Sequence, residues 1–60
     1  MTFSALHKLL FGYLVQVNVG IVLPESVIAE LKGLAIADPF LDRVRCKVLD
    51  GNYWARQAAN

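Results

Sequence analysis

Cys46, held between Arg45 and Lys47, is the residue whose type and setting come nearest to covalent chemistry. Flanking cations can activate a thiol, but a working nucleophile also needs a base and a group that orients the base. The single histidine, His7, stands beside Lys8 near the other end of the chain, and neither it nor Ser4 and Ser26 falls at a spacing that builds such a site. The expectation is a buried, inert thiol, a surface His7, and a protein that is not an enzyme. One His and one Cys also fall short of the four ligands of a structural zinc site, so no metal or other cofactor is expected.

What remains is binding chemistry. The formal charge of +1 conceals a polar distribution along the chain. Residues 24–42 hold Glu25, Glu30, Lys32, Asp38 and Asp42, whereas residues 43–60 hold Arg43, Arg45, Lys47, Asp50 and Arg56. The basic end can meet phosphate or an acidic protein surface, yet the total is far from the strongly basic footprint of most nucleic-acid domains. The trio Arg43, Arg45 and Lys47 can equally be a solvated face that complements a helix C-terminus. Tyr53 and Trp54, near the chain end, either complete the core by packing back onto the preceding helices or anchor a partner, since both types are enriched among binding hot spots.

Size limits how these groups can be held. The chain has 60 residues, 57% of them hydrophobic and 18% charged, which makes one small domain over 1–60 and excludes a disordered tail. A chain of this length hides only about 60% of the surface its unfolded form exposes, so the core is marginal. Cys46 has no partner for a disulfide within the chain. Association supplies the missing burial, and a homodimer or a chain docked on a host protein is expected. Residues 9–24 carry no charge, but 16 residues containing Gln16, Asn18, Gly12 and Gly20 do not reach the roughly 20 that a bilayer span needs. No secretory pattern is evident, so the expectation is a cytoplasmic protein with no membrane attachment.

Periodicity divides the chain into elements. Phe3, Leu6, Leu10, Tyr13 and Leu14 recur at helical spacing over 2–14, with Thr2 or Ser4 available as a cap. Over 15–23 the period becomes two: Val15, Val17, Val19, Ile21 and Leu23 share one face, which predicts a strand. A longer buried helix from Phe3 to Val19 is the alternative. Pro24 and Glu25 open a helix over 24–35 with an apolar stripe of Val27, Ile28, Leu31, Leu34 and Ala35. Asp38 as N-cap and Pro39 as first residue open another over 39–50, with Phe40, Leu41, Val44 and Val48 facing inward and Gly51 closing it. The competing reading is a hairpin, because 43–48 also alternates and Asp50-Gly51 can turn into a return strand at Tyr53 to Gln57.

The stretch VQVNVGIVLPESVIAELKGLA, an alternating strand that runs into a Pro-opened helix followed by a second helix, resembles the ribbon-helix-helix repressors over about Val15 to Leu49. The resemblance implies a mainly α fold with one short β-strand, here preceded by an N-terminal helix. It also implies a homodimer whose paired strands form a ribbon in the DNA major groove. The outward ribbon positions would be Gln16, Asn18, Gly20 and Val22; Gln and Asn can bond adenine, but Gly and Val offer nothing comparable. Asp38 at the start of the second helix would repel a phosphate there, leaving Arg43, Arg45, Lys47 and Arg56 to grip double-stranded DNA. Gln16 and Asn18 are otherwise ordinary solvent-facing polar residues.

A second resemblance is to the small phage excisionases and activators, on the order helix 24–35, turn, helix 39–50 and then Gly51-Asn52-Tyr53-Trp54-Ala55-Arg56. It implies a small helix-turn-helix with a C-terminal hairpin wing, and a basic second helix in the major groove. Both lead to a DNA-binding transcriptional regulator acting as a homodimer. The alternative function is a non-catalytic protein-binding inhibitor or adaptor, of the kind mobile elements encode, that presents helix 2–14 and Trp54 to a host protein.

Overall fold

The computed structural model describes residues 3–59, with side chains from Ala5 onward. Among them are three helices, α1 (Phe3–Asn18), α2 (Glu25–Gly33) and α3 (Pro39–Ala59), and no strand. The proposed cap at Thr2 and the side chains of Phe3 and Ser4 lie outside the described residues.

The predicted strand over 15–23 does not form. Val15 to Asn18 are the last turn of α1, because a helix already nucleated gains one hydrogen bond for each added residue, whereas a strand needs a partner. Val17 turns into the core, 5% exposed and two turns on from the wholly buried Leu10. Its alternation mates Val15 and Val19 stand in solvent. Gly20, with φ of +87°, ends the helix. The Gly20 N–H donates to the Val17 carbonyl at 3.1 Å and the Ile21 N–H to the Gln16 carbonyl at 2.9 Å, the two bonds of a Schellman motif. The residue read as an outward strand position is a helix stop.

Without that strand the ribbon of a ribbon-helix-helix fold has no chain to make it, and that fold is overturned. The hairpin wing fails as well: residues 51–57 continue α3 without a break. Gly51 is no terminus. A Cβ built on it would lie 2.7 Å from Val17 Cγ2, so glycine at this position lets α1 and α3 approach. The inward stripe Leu41, Val44, Val48, Asn52 and Ala55 carries helical spacing through the predicted end at residue 50. Phe40, expected on that stripe, is 57% exposed.

The two expected helix starts fare better. The Leu41 N–H donates to Asp38 Oδ2 at 2.8 Å, with Pro39 as first residue, as the sequence predicts for α3. Pro24 lies one position before α2 and accepts the Val27 and Ile28 N–H groups on its carbonyl, each at 3.1 Å. α2 ends at Gly33, so Leu34 and Ala35 fall in the connection to α3.

α3 is the spine. Its 21 residues extend about 31 Å at 1.5 Å each, most of the molecule's 35 Å length. Phe11 meets Phe40, and Val17 meets Gly51, so α1 ascends alongside α3. Leu31 meets Arg45, and Glu25 meets Arg56, so α2 descends on the other flank. Among the described residues α1 and α2 do not come within 8 Å of one another between Cα atoms; each packs on α3.

Candidate interaction surface

The residues singled out in the sequence separate into two groups. Arg45 and Arg56 are engaged within the fold. Arg45 donates from Nε to Asp42 Oδ1 at 3.0 Å and from Nη1 to the Leu31 carbonyl at 3.1 Å, and Nη2 lies 2.8 Å from Asp42 Oδ1. The Leu31 carbonyl is in the last turn of α2, where it also accepts the Leu34 N–H at 3.4 Å and where a cation complements the dipole. Arg56 reaches Glu25 at the opposite end of α2, with 2.7 Å between Nη1 and Oε1. Two of the three arginines expected to meet DNA therefore hold the two ends of α2 against α3.

Arg43 and Lys47 are exposed, one turn apart on α3, and make no ion pair with any described residue. Gln16, half-buried, and Asn18, exposed, lie at the end of α1 rather than on a ribbon. The backbone carbonyl of Gln16 is committed to the Schellman turn.

One further expectation is corrected here and one open choice is decided. Cys46 is exposed rather than buried, 3.8 Å from Arg45 Nη2. Trp54 is 63% exposed and Tyr53 is 55% exposed, so neither packs back onto the helices. Their rings instead meet edge to face at 5.3 Å. The reason is helical phase: the stripe through Val48, Asn52 and Ala55 fills the seam, which turns residues 53 and 54 outward. His7 is at the surface as expected, its ring 4.6 Å from that of Phe11, which in turn lies 6.0 Å from Phe40.

The outward face of α3 thus carries Phe40, Arg43, Lys47, Asp50, Trp54 and Gln57, each of them exposed. Phe40 was expected inward, and Asp50 and Gln57 did not stand out as surface residues, although their spacing of three and four from Arg43, Lys47 and Trp54 was there to be read. Asn52 was also missed as a structural residue. It is 4% exposed, and its Oδ1 accepts the Leu23 N–H at 2.7 Å, so a side chain takes the place of a β-partner for the extended connection.

Two clefts complete the surface. One, of about 100 Å³, opens between α1 and α2 and is lined by Leu6, Leu9, Tyr13, Val27, Leu31 and Leu34, with Glu30 at its side. The other, of about 250 Å³, lies between α2 and α3 around Ile28, Leu49, Asn52 and Tyr53. Among the described residues no His, Cys, Asp and Glu side chains gather in a group able to hold a metal, and no helix is long and apolar enough to cross a membrane. Comparison with protein-family models, curated proteins and solved structures finds no match to this chain.

Proposed function

We propose that the chain is a non-catalytic protein-binding module, an adaptor or inhibitor, and that it docks through the outward side of α3. The observation that carries this reading is the exposure of Trp54, with Phe40 and Tyr53 also exposed on the same helix. Fully burying a large apolar side chain is worth about 1.5–3 kcal/mol, and in a chain of 60 residues such a gain left unused within the fold is available to a partner. Tryptophan, tyrosine and arginine are the residue types enriched in docking hot spots, and Tyr53, Trp54 and Arg43 are all exposed on α3.

A duplex partner is supported less. With Arg45 and Arg56 engaged internally, Arg43 and Lys47 are the free cations of the expected set, and Asp50 stands one turn from Lys47. Two neutralised phosphates give a log–log salt slope of only about −1.8.

The test immobilises the chain and compares what wild type and the Phe40→Ala/Trp54→Ala variant retain. Both sites are exposed, so circular dichroism should show the fold intact. Loss of the retained proteins is the expected result. Retention of every one by the variant overturns the reading. Duplex binding that survives this variant, strengthens as salt is lowered and disappears in Arg43→Ala/Lys47→Ala moves the function to nucleic acid.

A further inference from the structure

We propose that the outward face of α3 pairs with the same face of a second copy of the chain, the two helices antiparallel about a two-fold axis that passes between residues 47 and 50. This rests on the reading of that face as a protein-docking surface, and it names the occupant.

Spacing is the first support. Phe40, Arg43, Lys47, Asp50, Trp54 and Gln57 are separated by three, four, three, four and three residues, the alternation of a helix–helix seam. All six are exposed, and they run for about 26 Å along one helix. The inward stripe of α3 is a different set of residues and is fully used by α1 and α2.

Charge order is the second support, and it selects both the occupant and the direction. A two-fold interface requires a surface complementary to itself. In the antiparallel register that places Lys47 of one copy opposite Asp50 of the other, Arg43 falls opposite Trp54 and Phe40 opposite Gln57. The first pairing is ionic, the second sets a guanidinium on an indole face, and each occurs twice. Parallel pairing would instead set Lys47 against Lys47, Arg43 near Arg43 and Asp50 against Asp50. Neither Arg43, Lys47 nor Asp50 has an ion-pair partner among the described residues, whereas Asp42 with Arg45 and Glu25 with Arg56 are satisfied within the chain.

Area is the third. A large aromatic side chain covers about 150–250 Å² when wholly buried. Two copies of Phe40 and Trp54, each more than half exposed, together with the stems of Arg43, Lys47 and Gln57, bring the seam to about 1,000 Å², the lower bound for a specific interface. The expected dimer is correspondingly weak and concentration-dependent.

Sedimentation equilibrium from micromolar to millimolar chain tests this, with the emission of the single tryptophan as a second readout. Wild type is expected to dimerise, its emission moving to the blue as concentration rises. Lys47→Glu alone and Asp50→Lys alone each place like charges opposite one another twice, and each is expected to raise the dissociation constant about tenfold or more. The double variant restores the homodimer, and an equimolar mixture of the two single variants forms a heterodimer. A wild-type chain that stays monomeric with unshifted emission overturns the pairing, as does a dimer indifferent to either charge reversal. If the chain is monomeric and Phe40→Ala/Trp54→Ala still releases the retained proteins, the self-pairing is wrong and the docking surface stands.

Discussion

At the scale of single residues, the positions that matter most to the fold are the two that break a propensity rule. Gly51 sits in the middle of a 21-residue helix, where alanine would ordinarily be better by about 1 kcal/mol. Here the added methyl meets Val17, a β-branched side chain on a helix with little freedom at χ1. Overpacking costs about 1–3 kcal/mol, so Gly51→Ala is expected to lower stability in chemical denaturation. In a Val17→Ala background the sign should reverse and the same substitution should stabilise; a destabilisation unchanged by that background would show that Val17 is not the obstacle. Asn52 is the other case, a buried amide in an apolar stripe. Asn52→Ala strands the Leu23 N–H and should cost about 1–3 kcal/mol. For a chain this small each kilocalorie moves the melting temperature by about 4–8 °C, which calorimetry would register.

At the scale of elements, the ends of the helices explain which parts of the fold were legible. α3 begins where Asp38-Pro39 says it should, because a cap is a local interaction written in adjacent residues. Asp38→Ala should therefore cost about 1 kcal/mol, measured by urea unfolding. α1 ends at Gly20 through an equally local device, yet the alternation of Val15, Val17 and Val19 outweighed it in the sequence. Period two is a sound signal only when a second strand is at hand, and no residue of the chain announces whether one is. Gly20 was the corrective signal: a glycine just past the last residue of a helical pattern marks a helix stop. Nothing is within 4 Å of its Cβ position, so Gly20→Ala should cost about 1–2 kcal/mol through the backbone alone. The sequence left Trp54 open between core and surface for a non-local reason, since whether a C-terminal aromatic packs back depends on whether Asn52 and Ala55 have already filled the seam.

At the scale of the whole molecule, the uneven packing of the three helices sets the order in which they open. The wholly buried side chains, Leu10, Leu41 and Val48, all belong to α1 and α3. α2 contributes Ile28 and Leu31 to the core and approaches within 8 Å between Cα atoms only α3 among the described helices. Its attachment leans on Arg45 at one end and Arg56 at the other, and these two are not equal. The Arg56–Glu25 pair is mostly in solvent, where such pairs contribute about 0–1 kcal/mol. Arg45 is largely covered, bonds both Asp42 and the Leu31 carbonyl, and lies where the dipole of α2 favours a cation. Native-state hydrogen exchange should accordingly show α2 opening at lower free energy than α1 and α3. Arg45→Ala should reduce protection across α2 while leaving the amides around Leu10 and Val48 near their wild-type values, and Arg56→Ala should do much less. Uniform loss of protection in all three helices would mean that α2 is not a separate opening unit, and that the chain unfolds only as a whole.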